Sequence, residues 1–208
     1  MEFRNCISFL EESFKKPLPG KDAQFLMAPD TRLTNEEYLK QFPEYKISSV
    51  LFLLFPSATK TNFVLIERAG GGVHSGQIAL PGGKYEPSDL TYENTALRET
   101  EEEIGVDKNE INLLGTLTDL FIPASNFRVF PHVGFIENKP KFTPHEAEVK
   151  TVVEADLETF LKNKITGKKN FITSYGQLPA PYYLYQGYEI WGATAMLISE
   201  FVTMFKSK

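Results

Sequence analysis

The apolar residues at the start of the chain recur at the spacing of an amphipathic helix. Between Glu2 and Lys16 they fall at intervals of three and four, and they are Phe3, Ile7, Leu10 and Phe14. A second short helix is predicted from Asn35 to Gln41, with Thr34 as its N-cap. A partly ordered arm is the alternative for this segment. The pattern predicts an N-terminal helical extension over residues 1–45.

Further along, short apolar runs rich in β-branched and aromatic residues are typical of strands. The predicted strands cover residues 47–55, 63–66, 78–80, 111–122, 129–136 and 148–153. A polar break separates the first two, which indicates a hairpin. The Pro- and Tyr-rich stretch 178–188 is expected to be ordered loop and strand.

Three helices are predicted among these strands. One runs from Thr91 to Ile104, with Thr91 as its N-cap and Gly105 placed to end it. The others cover residues 156–162 and 189–205. The mixture of strands and helices predicts one α/β (α+β) domain over residues 46–208, following the helical extension.

Composition and charge limit the functions that this domain can have. Hydrophobic residues make up 42% of the 208 residues and charged residues 24%, as in globular proteins. The net charge of −5 argues against a nucleic-acid partner, but a metal ion could still supply positive charge for a phosphate ligand. With one cysteine, Cys6, and no evident signal peptide or membrane span, we expect a cytoplasmic location without a membrane partner.

The candidate chemistry lies on the predicted helix that ends at Gly105. Glu99, Glu102 and Glu103 are spaced at i, i+3 and i+4, so their side chains are neighbours on the helix surface and repel each other. A helical wheel places them opposite Leu97, Thr100 and Ile104, with Glu101 near the core side. Hard cations such as Mg²⁺ take carboxylate oxygens as ligands, and Arg98 can reach Glu102 to hold it. If the helix carried only a pair of such glutamates, an acidic surface exposed to solvent would be the better explanation.

A glycine-containing turn precedes this helix, and together they resemble a known motif. Pro81-Gly82-Gly83 lets the backbone approach a ligand. Gly83 through Val106 is similar to a Nudix box, in which Gly83, Arg98, Glu99, Glu102, Glu103, Gly105 and Val106 match. Asp89 stands at the upstream acidic position, where Glu is usual, and the spacer to Arg98 is one residue longer than the common form.

The resemblance implies an α/β/α sandwich with a mixed sheet and a hydrolase of nucleoside diphosphate derivatives. It implies that Glu99, Glu102 and Glu103 are the ligands of Mg²⁺ or Mn²⁺. It also implies that these three glutamates and Arg98 are the catalytic residues. A divalent ion suits this chemistry because it neutralises the diphosphate and activates water. A further carboxylate, Glu146 or Glu148, could act as general base. That both are ordinary surface glutamates without a catalytic role is at least as good an interpretation.

A second resemblance points to the coenzyme A diphosphatase branch of this family. It rests on Leu65–Arg68, on His74–Gly83, on Asn94–Glu99 with the longer spacer, and on Ile190–Ala195. It implies coenzyme A as the small-molecule substrate, with Gly82, Gly83, Arg68 and Gln77 as substrate-binding residues. Arg68, Lys84 and Arg128 are candidates to contact the 3′-phosphate, and His74 could form a hydrogen bond in its loop.

Two alternatives stay open. The substrate could be ADP-ribose, a dinucleotide or another nucleoside diphosphate derivative. The protein could also be a non-catalytic nucleotide-binding regulator on the same scaffold, although the three intact glutamates argue against this. The N-terminal helices could also serve a homodimer interface.

Overall fold

The computed structural model describes residues 1–58, 60–70, 76–162, 167–173 and 176–206. The helices are α1 (Phe3–Ser13), α2 (Gly20–Phe25), α3 (Asn35–Gln41), α4 (Tyr92–Ile104), α5 (Leu157–Leu161) and α6 (Gly192–Met204). The strands are β1 (Lys46–Ser57), β2 (Lys60–Arg68), β3 (Ile78–Ala79), β4 (Gly82–Lys84), β5 (Asn112–Thr116), β6 (Leu120–Ile122), β7 (Phe127–Phe135), β8 (Val149–Asp156), β9 (Gly167–Thr173), β10 (Gly176–Tyr185) and β11 (Tyr188–Trp191). Short 3₁₀ turns lie at Pro87–Asp89 and Lys108–Glu110.

The first eight strands form one mixed sheet, as predicted. Its central order is β3-β2-β1-β7-β5, while β4 pairs with β1, β6 with β7 and β8 with β2. The β1–β7 pair is parallel and the other pairs are antiparallel. The predicted strand 111–122 is two strands, β5 and β6, both of which pair with β7.

Helices cover both faces of this sheet, which explains the continuous apolar run in β1. Phe52 and Leu54 join a buried cluster with residues of α1 and α6. Leu51, Leu53 and Phe55 join a second cluster on the opposite face, with residues of α4. A strand that is buried on both faces needs apolar side chains at every position. The predicted α/β/α sandwich is therefore confirmed.

A second antiparallel sheet has the order β11-β10-β9. β9 lies where no element was predicted, β10 lies mostly where loop and strand were predicted, and β11 lies at the start of a predicted helix. The predicted helix 189–205 is wrong at its start, because Glu189–Trp191 belong to β11 and α6 begins only at Gly192. The hairpin turns at Gln186-Gly187, where φ is positive at both residues, as in the tightest two-residue turns. Pairing between β10 and β11 thus overrides the helical pattern.

The predicted helices α1 and α3 are present, and α2 was not predicted. Thr34 caps α3 in a reciprocal capping box with Glu37. The apolar face of α1 enters the same buried cluster as β1 and α6, so α1 packs on the sheet's own core. A domain boundary at residue 45 remains a prediction. Within the described residues, no helix combines the length and apolar character needed to span a bilayer.

Candidate active site

Helix α4 forms and ends as its sequence predicts. The Thr91 side chain accepts a hydrogen bond of 3.2 Å from the Asn94 N–H at the start of the helix. Gly105 ends it in a left-handed conformation. The helix packs over β1 and β4, and this places its glutamates beside the Gly82-Gly83 strand.

The helical wheel assigned two of the glutamates wrongly. Glu103 is buried, at 2% exposure, on the same face as Ala96 and Thr100. Strand β4 covers this arc of the helix, and the Gly82 N–H donates a hydrogen bond of 2.8 Å to the Glu103 carboxylate. Glu101, expected near the core, lies at the surface, where it pairs with Lys108 at 3.0 Å.

Glu99 packs directly against Gly83. A Cβ atom at position 83 would lie 2.3 Å from the Glu99 carboxyl carbon and 2.4 Å from both of its oxygens. A Cβ at Gly82 would lie 2.2 Å from the Ser49 carbonyl oxygen, and φ there is +145°. Close approach of the backbone therefore requires glycine at position 82, whereas a side chain at position 83 would displace Glu99, a predicted metal ligand.

Arg98 lies at the centre of the site and connects its acidic groups. Its guanidinium contacts the carboxylates of Asp89 at 2.7 Å, Glu102 at 2.9 Å and Glu99 at 3.0 Å. It also donates to the Lys84 carbonyl oxygen at 3.1 Å. The predicted Arg98–Glu102 contact is thus present. The Asp89 contact was not predicted, and it makes Asp89 a positioning group for Arg98.

Burial first, and repulsion between carboxylates second, raises the pKa values of Glu103 and Glu99. Burial raises the pKa of Glu103 to about 7, against the opposing effects of the Gly82 N–H and Arg68, and Glu99 and Glu148 raise it further. Burial also raises the pKa of Glu99, as do the neighbouring carboxylates Glu102 and Glu148. Of the two general-base candidates, Glu148 is the one whose charge acts on Glu99 and Glu103. A bound cation would favour the ionised form of all these groups.

The carboxylates of this site are chemically suited to a hard divalent cation, but their oxygens do not converge on one point as the ligands of a bound ion do. The donors of the site are all carboxylate oxygens, which Mg²⁺ and Mn²⁺ prefer. Over the described ranges, no three acidic, histidine or cysteine side chains are grouped so as to hold an ion. The reason is visible at Glu99 and Glu102, which both contact Arg98. Arg98 therefore competes with a bound ion for these oxygens, one on each glutamate.

The predicted substrate-binding residues line one large cavity of about 1030 Å³. These residues are Arg68, Gln77, Gly82 and Gly83. Arg68 also lies 3.7 Å from the Glu103 carboxylate, measured from its Nη1 atom. Since Gly83 both packs against Glu99 and lines the cavity, the cavity and the carboxylates meet at β4.

The three basic residues proposed to contact a 3′-phosphate do not all lie at the same cavity in the structure. Arg68 and Lys84 line the large cavity. Arg128 does not, because it pairs with Asp119 at 2.8 Å beside a smaller cavity of about 230 Å³. Arg32, from the segment before α3, lines the large cavity and was missed, since no sequence pattern marks it. His74 lies outside the described residues.

Comparison with known proteins agrees with this geometry. A sequence profile of the NUDIX domain matches residues 46–175. The MutT/nudix family protein of Enterococcus faecalis has a similar structure, with a TM-score of 0.51 over 89% of this chain and 73% of that chain. At 17% identity, this similarity concerns the fold alone.

Two curated relatives extend the comparison beyond the fold. Nudix hydrolase 22 (chloroplastic) of Arabidopsis thaliana is 32% identical over 167 residues, which are 76% of this chain but only 55% of that protein. The uncharacterized Nudix hydrolase NudL of Pectobacterium atrosepticum is 30% identical over 164 residues, which are 78% of this chain and 84% of that protein. The profile match over more than half of the residues and these relatives together show that the chain belongs to the Nudix family.

Proposed function

We propose that this protein is a divalent-cation-dependent hydrolase that cleaves the diphosphate bond of coenzyme A, giving 3′,5′-adenosine bisphosphate and 4′-phosphopantetheine. The observation that carries the proposal is the junction at β4. Gly82 donates to the buried Glu103 carboxylate at 2.8 Å, and Gly83 packs on Glu99 while lining the cavity. A diphosphate in the cavity would therefore lie next to the carboxylates.

The carboxylates would hold the cation. Glu99, Glu102 and Glu103 are the proposed ligands, and their mutual repulsion is a cost that the ion removes. When bound, a divalent cation neutralises the diphosphate oxygens and makes phosphorus more open to attack by water. Arg98 positions Glu99 and Glu102, and Asp89 holds Arg98 from the other side.

Two further groups of this chain could act on the reactants. Glu148, whose charge acts on Glu99 and Glu103, is the proposed general base, which would accept a proton from the attacking water. Arg68 lies between Glu103 and the cavity, where its guanidinium would contact a diphosphate oxygen. Backbone groups of Gly82 and Gly83 would approach the diphosphate closely because no Cβ intervenes.

The size and lining of the cavity support coenzyme A. At about 1030 Å³ the cavity is at the upper end for small-molecule sites, as a long ligand requires. Three of the four segments that resemble coenzyme A diphosphatases contribute to its wall. Arg68 comes from the first segment, Gln77 to Leu80 with Gly82 and Gly83 from the second, and Trp191 through Thr194 from the last.

A substrate panel tests the proposal. The protein is incubated with coenzyme A, ADP-ribose and NADH, each with Mg²⁺ or Mn²⁺, and the products are identified by mass. We expect cation-dependent cleavage with the highest kcat/KM for coenzyme A. A preference for ADP-ribose or NADH would refute the coenzyme A assignment, and no turnover on any of them would refute the hydrolase.

A homodimer through the N-terminal helices and a cytoplasmic location remain separate predictions. The first is checked by light scattering of the purified protein. The second is checked by imaging of the tagged protein in its own cells.

A further inference from the structure

The wall of the large cavity carries positive charge without acidic residues. Its described lining contains three cationic side chains, Arg32, Arg68 and Lys84, and no Asp or Glu. The protein as a whole has a net charge of −5, so this local composition is unlike the rest of the molecule. Such a cavity favours a ligand with several negative charges.

Arg32 is the cation of this set that lies in the N-terminal segment. Its Nη2 atom donates to the Phe121 carbonyl oxygen at 2.7 Å and to Asn35 Oδ1 at 3.4 Å. Its Nε atom is enclosed and has no hydrogen-bond partner among the described residues. Burial lowers the pKa of Arg32, and within the described chain no carboxylate opposes this effect. Among the described residues, no carboxylate therefore neutralises the charge of Arg32.

Aromatic rings fix Arg32 and extend the same wall. The guanidinium lies 5.3 Å from the centre of the Tyr38 ring. Tyr38 and Phe42 both stack on Phe121, at centroid distances of 5.5 and 5.7 Å, and both line the cavity. A cation held beside a half-buried aromatic ring is suited to a phosphate next to a planar base.

The strand order of the sheet gives the distance between the Gly82-Gly83 strand and Phe121, the residue that Arg32 contacts. Along the sheet, β4 pairs with β1, β1 with β7 and β7 with β6, which contains Phe121. Three strand spacings correspond to about 14 Å. A ligand that reaches from the carboxylates to Arg32 must therefore be longer than a diphosphate.

We propose that Arg32 binds a phosphomonoester group on the ribose of the substrate, with the base against Phe42. This inference rests on the proposed function for the position of the diphosphate, and it makes Arg32 a specificity-determining residue. The protein would then prefer nucleoside diphosphate derivatives that carry an extra 3′- or 2′-phosphate over those that lack one.

Equilibrium binding tests this without turnover. Isothermal titration compares adenosine 3′,5′-bisphosphate, adenosine 2′,5′-bisphosphate, ADP and AMP on the wild-type protein and on Arg32→Met, Arg32→Lys and Arg4→Met. ADP controls for charge, because it carries its second phosphate on the 5′ chain. Arg4 is an exposed arginine of α1 that does not line the cavity, so Arg4→Met is the matched control.

We expect wild type and Arg4→Met to bind one of the two bisphosphates tighter than AMP by on the order of tenfold or more. Which of the two binds tighter shows whether the recognised phosphate is on the 3′ or the 2′ oxygen of the ribose. Arg32→Met should lose this preference while its affinity for ADP changes little, and Arg32→Lys should keep part of it. Wild type that does not distinguish the bisphosphates from AMP would overturn the proposal. So would an equal loss for all four ligands in Arg32→Met, which would indicate a structural role.

If Arg32→Met does not fold, a crystal structure of the wild type with the preferred bisphosphate decides. A ribose phosphate within hydrogen-bond distance of Arg32 supports the proposal, and one bound elsewhere contradicts it. Failure of the proposed function is distinguishable, because it would appear as absent hydrolysis while the binding preference remained.

Discussion

The Glu103 carboxylate accepts a hydrogen bond of 2.8 Å from the Gly82 N–H, inside the contact between α4 and β4. This contact links the acidic helix to the strand that lines the cavity. It keeps a carboxylate at 2% exposure beside a site where, in the proposed function, a diphosphate binds. The consequences for activity, metal affinity and stability can each be measured.

Replacing Glu103 should abolish most activity without unfolding the protein. Glu103→Gln keeps an oxygen that can accept from Gly82 but removes the charge that would hold the cation. We expect kcat to fall by about 10²-fold or more, with an unchanged circular dichroism spectrum. Glu101→Gln is the matched control, because Glu101 pairs with Lys108 at the surface, and it should keep near-wild-type activity. Equal activity of the two variants at saturating Mg²⁺ would contradict the assignment.

Adding one methyl group at Gly83 should displace Glu99. Its Cβ would lie 2.3 Å from the Glu99 carboxyl carbon, so Gly83→Ala must move that side chain. We expect a large loss of kcat at fixed Mg²⁺, measured on the best substrate of the panel. Gly187→Ala, in the turn between β10 and β11, has open space around its Cβ and should lower stability by about 1 kcal/mol with activity kept. The reverse ranking of the two activities would argue against a role for Glu99.

Removing Asp89 should weaken metal binding. Arg98 contacts Asp89 at 2.7 Å, and without that partner it should pair more strongly with Glu99 and Glu102. We expect Asp89→Asn to need several-fold more Mg²⁺ for half-maximal activity and to be less stable by about 2 kcal/mol. Asp119→Asn breaks a similar pair with Arg128, outside the cavity, and should lower stability without changing the Mg²⁺ requirement. An unchanged Mg²⁺ curve in Asp89→Asn would exclude this role.

Without metal, the buried Glu103 should make the protein less stable as pH rises. Burial raises the pKa of Glu103 from 4.5 to about 7. Between these values the folded state keeps a proton that the unfolded state has released, so the free energy of unfolding falls with increasing pH. The difference amounts to at most about 3 kcal/mol. Urea unfolding in EDTA at pH 5 and pH 8 measures it, and Glu103→Gln should show a smaller drop. Equal drops would contradict a raised pKa.

The parts of this molecule that depend on local pattern were predictable from the sequence. Thr91 and Gly105 bound α4, and the Arg98–Glu102 contact follows from helix geometry. The apolar run of β1 indicated a buried strand, although its two-sided burial required the helices on both faces. Local rules suffice here because each partner lies within about one helical turn or one strand.

The parts that depend on tertiary contacts were not predictable. The wheel gave Glu103 to the solvent face because a single helix does not reveal that β4 covers that arc. The Asp89–Arg98 pair crosses a loop and a 3₁₀ turn, so no periodicity connects the two residues. Arg32 donates to the Phe121 carbonyl oxygen, 89 residues away, and nothing near Arg32 in sequence indicates this partner. The β10–β11 hairpin was missed because residues of β11 continue the helical pattern of α6, and only pairing with β10 makes them a strand.

Diffraction from crystals soaked in Mn²⁺, with anomalous data, shows whether the glutamates of α4 hold a divalent cation. We expect an anomalous peak coordinated by the carboxylate oxygens of Glu99 and Glu103, at about 2.0–2.2 Å, with Arg98 withdrawn from at least one glutamate. The contradicting result is no peak at saturating Mn²⁺, with Arg98 still paired to both Glu99 and Glu102.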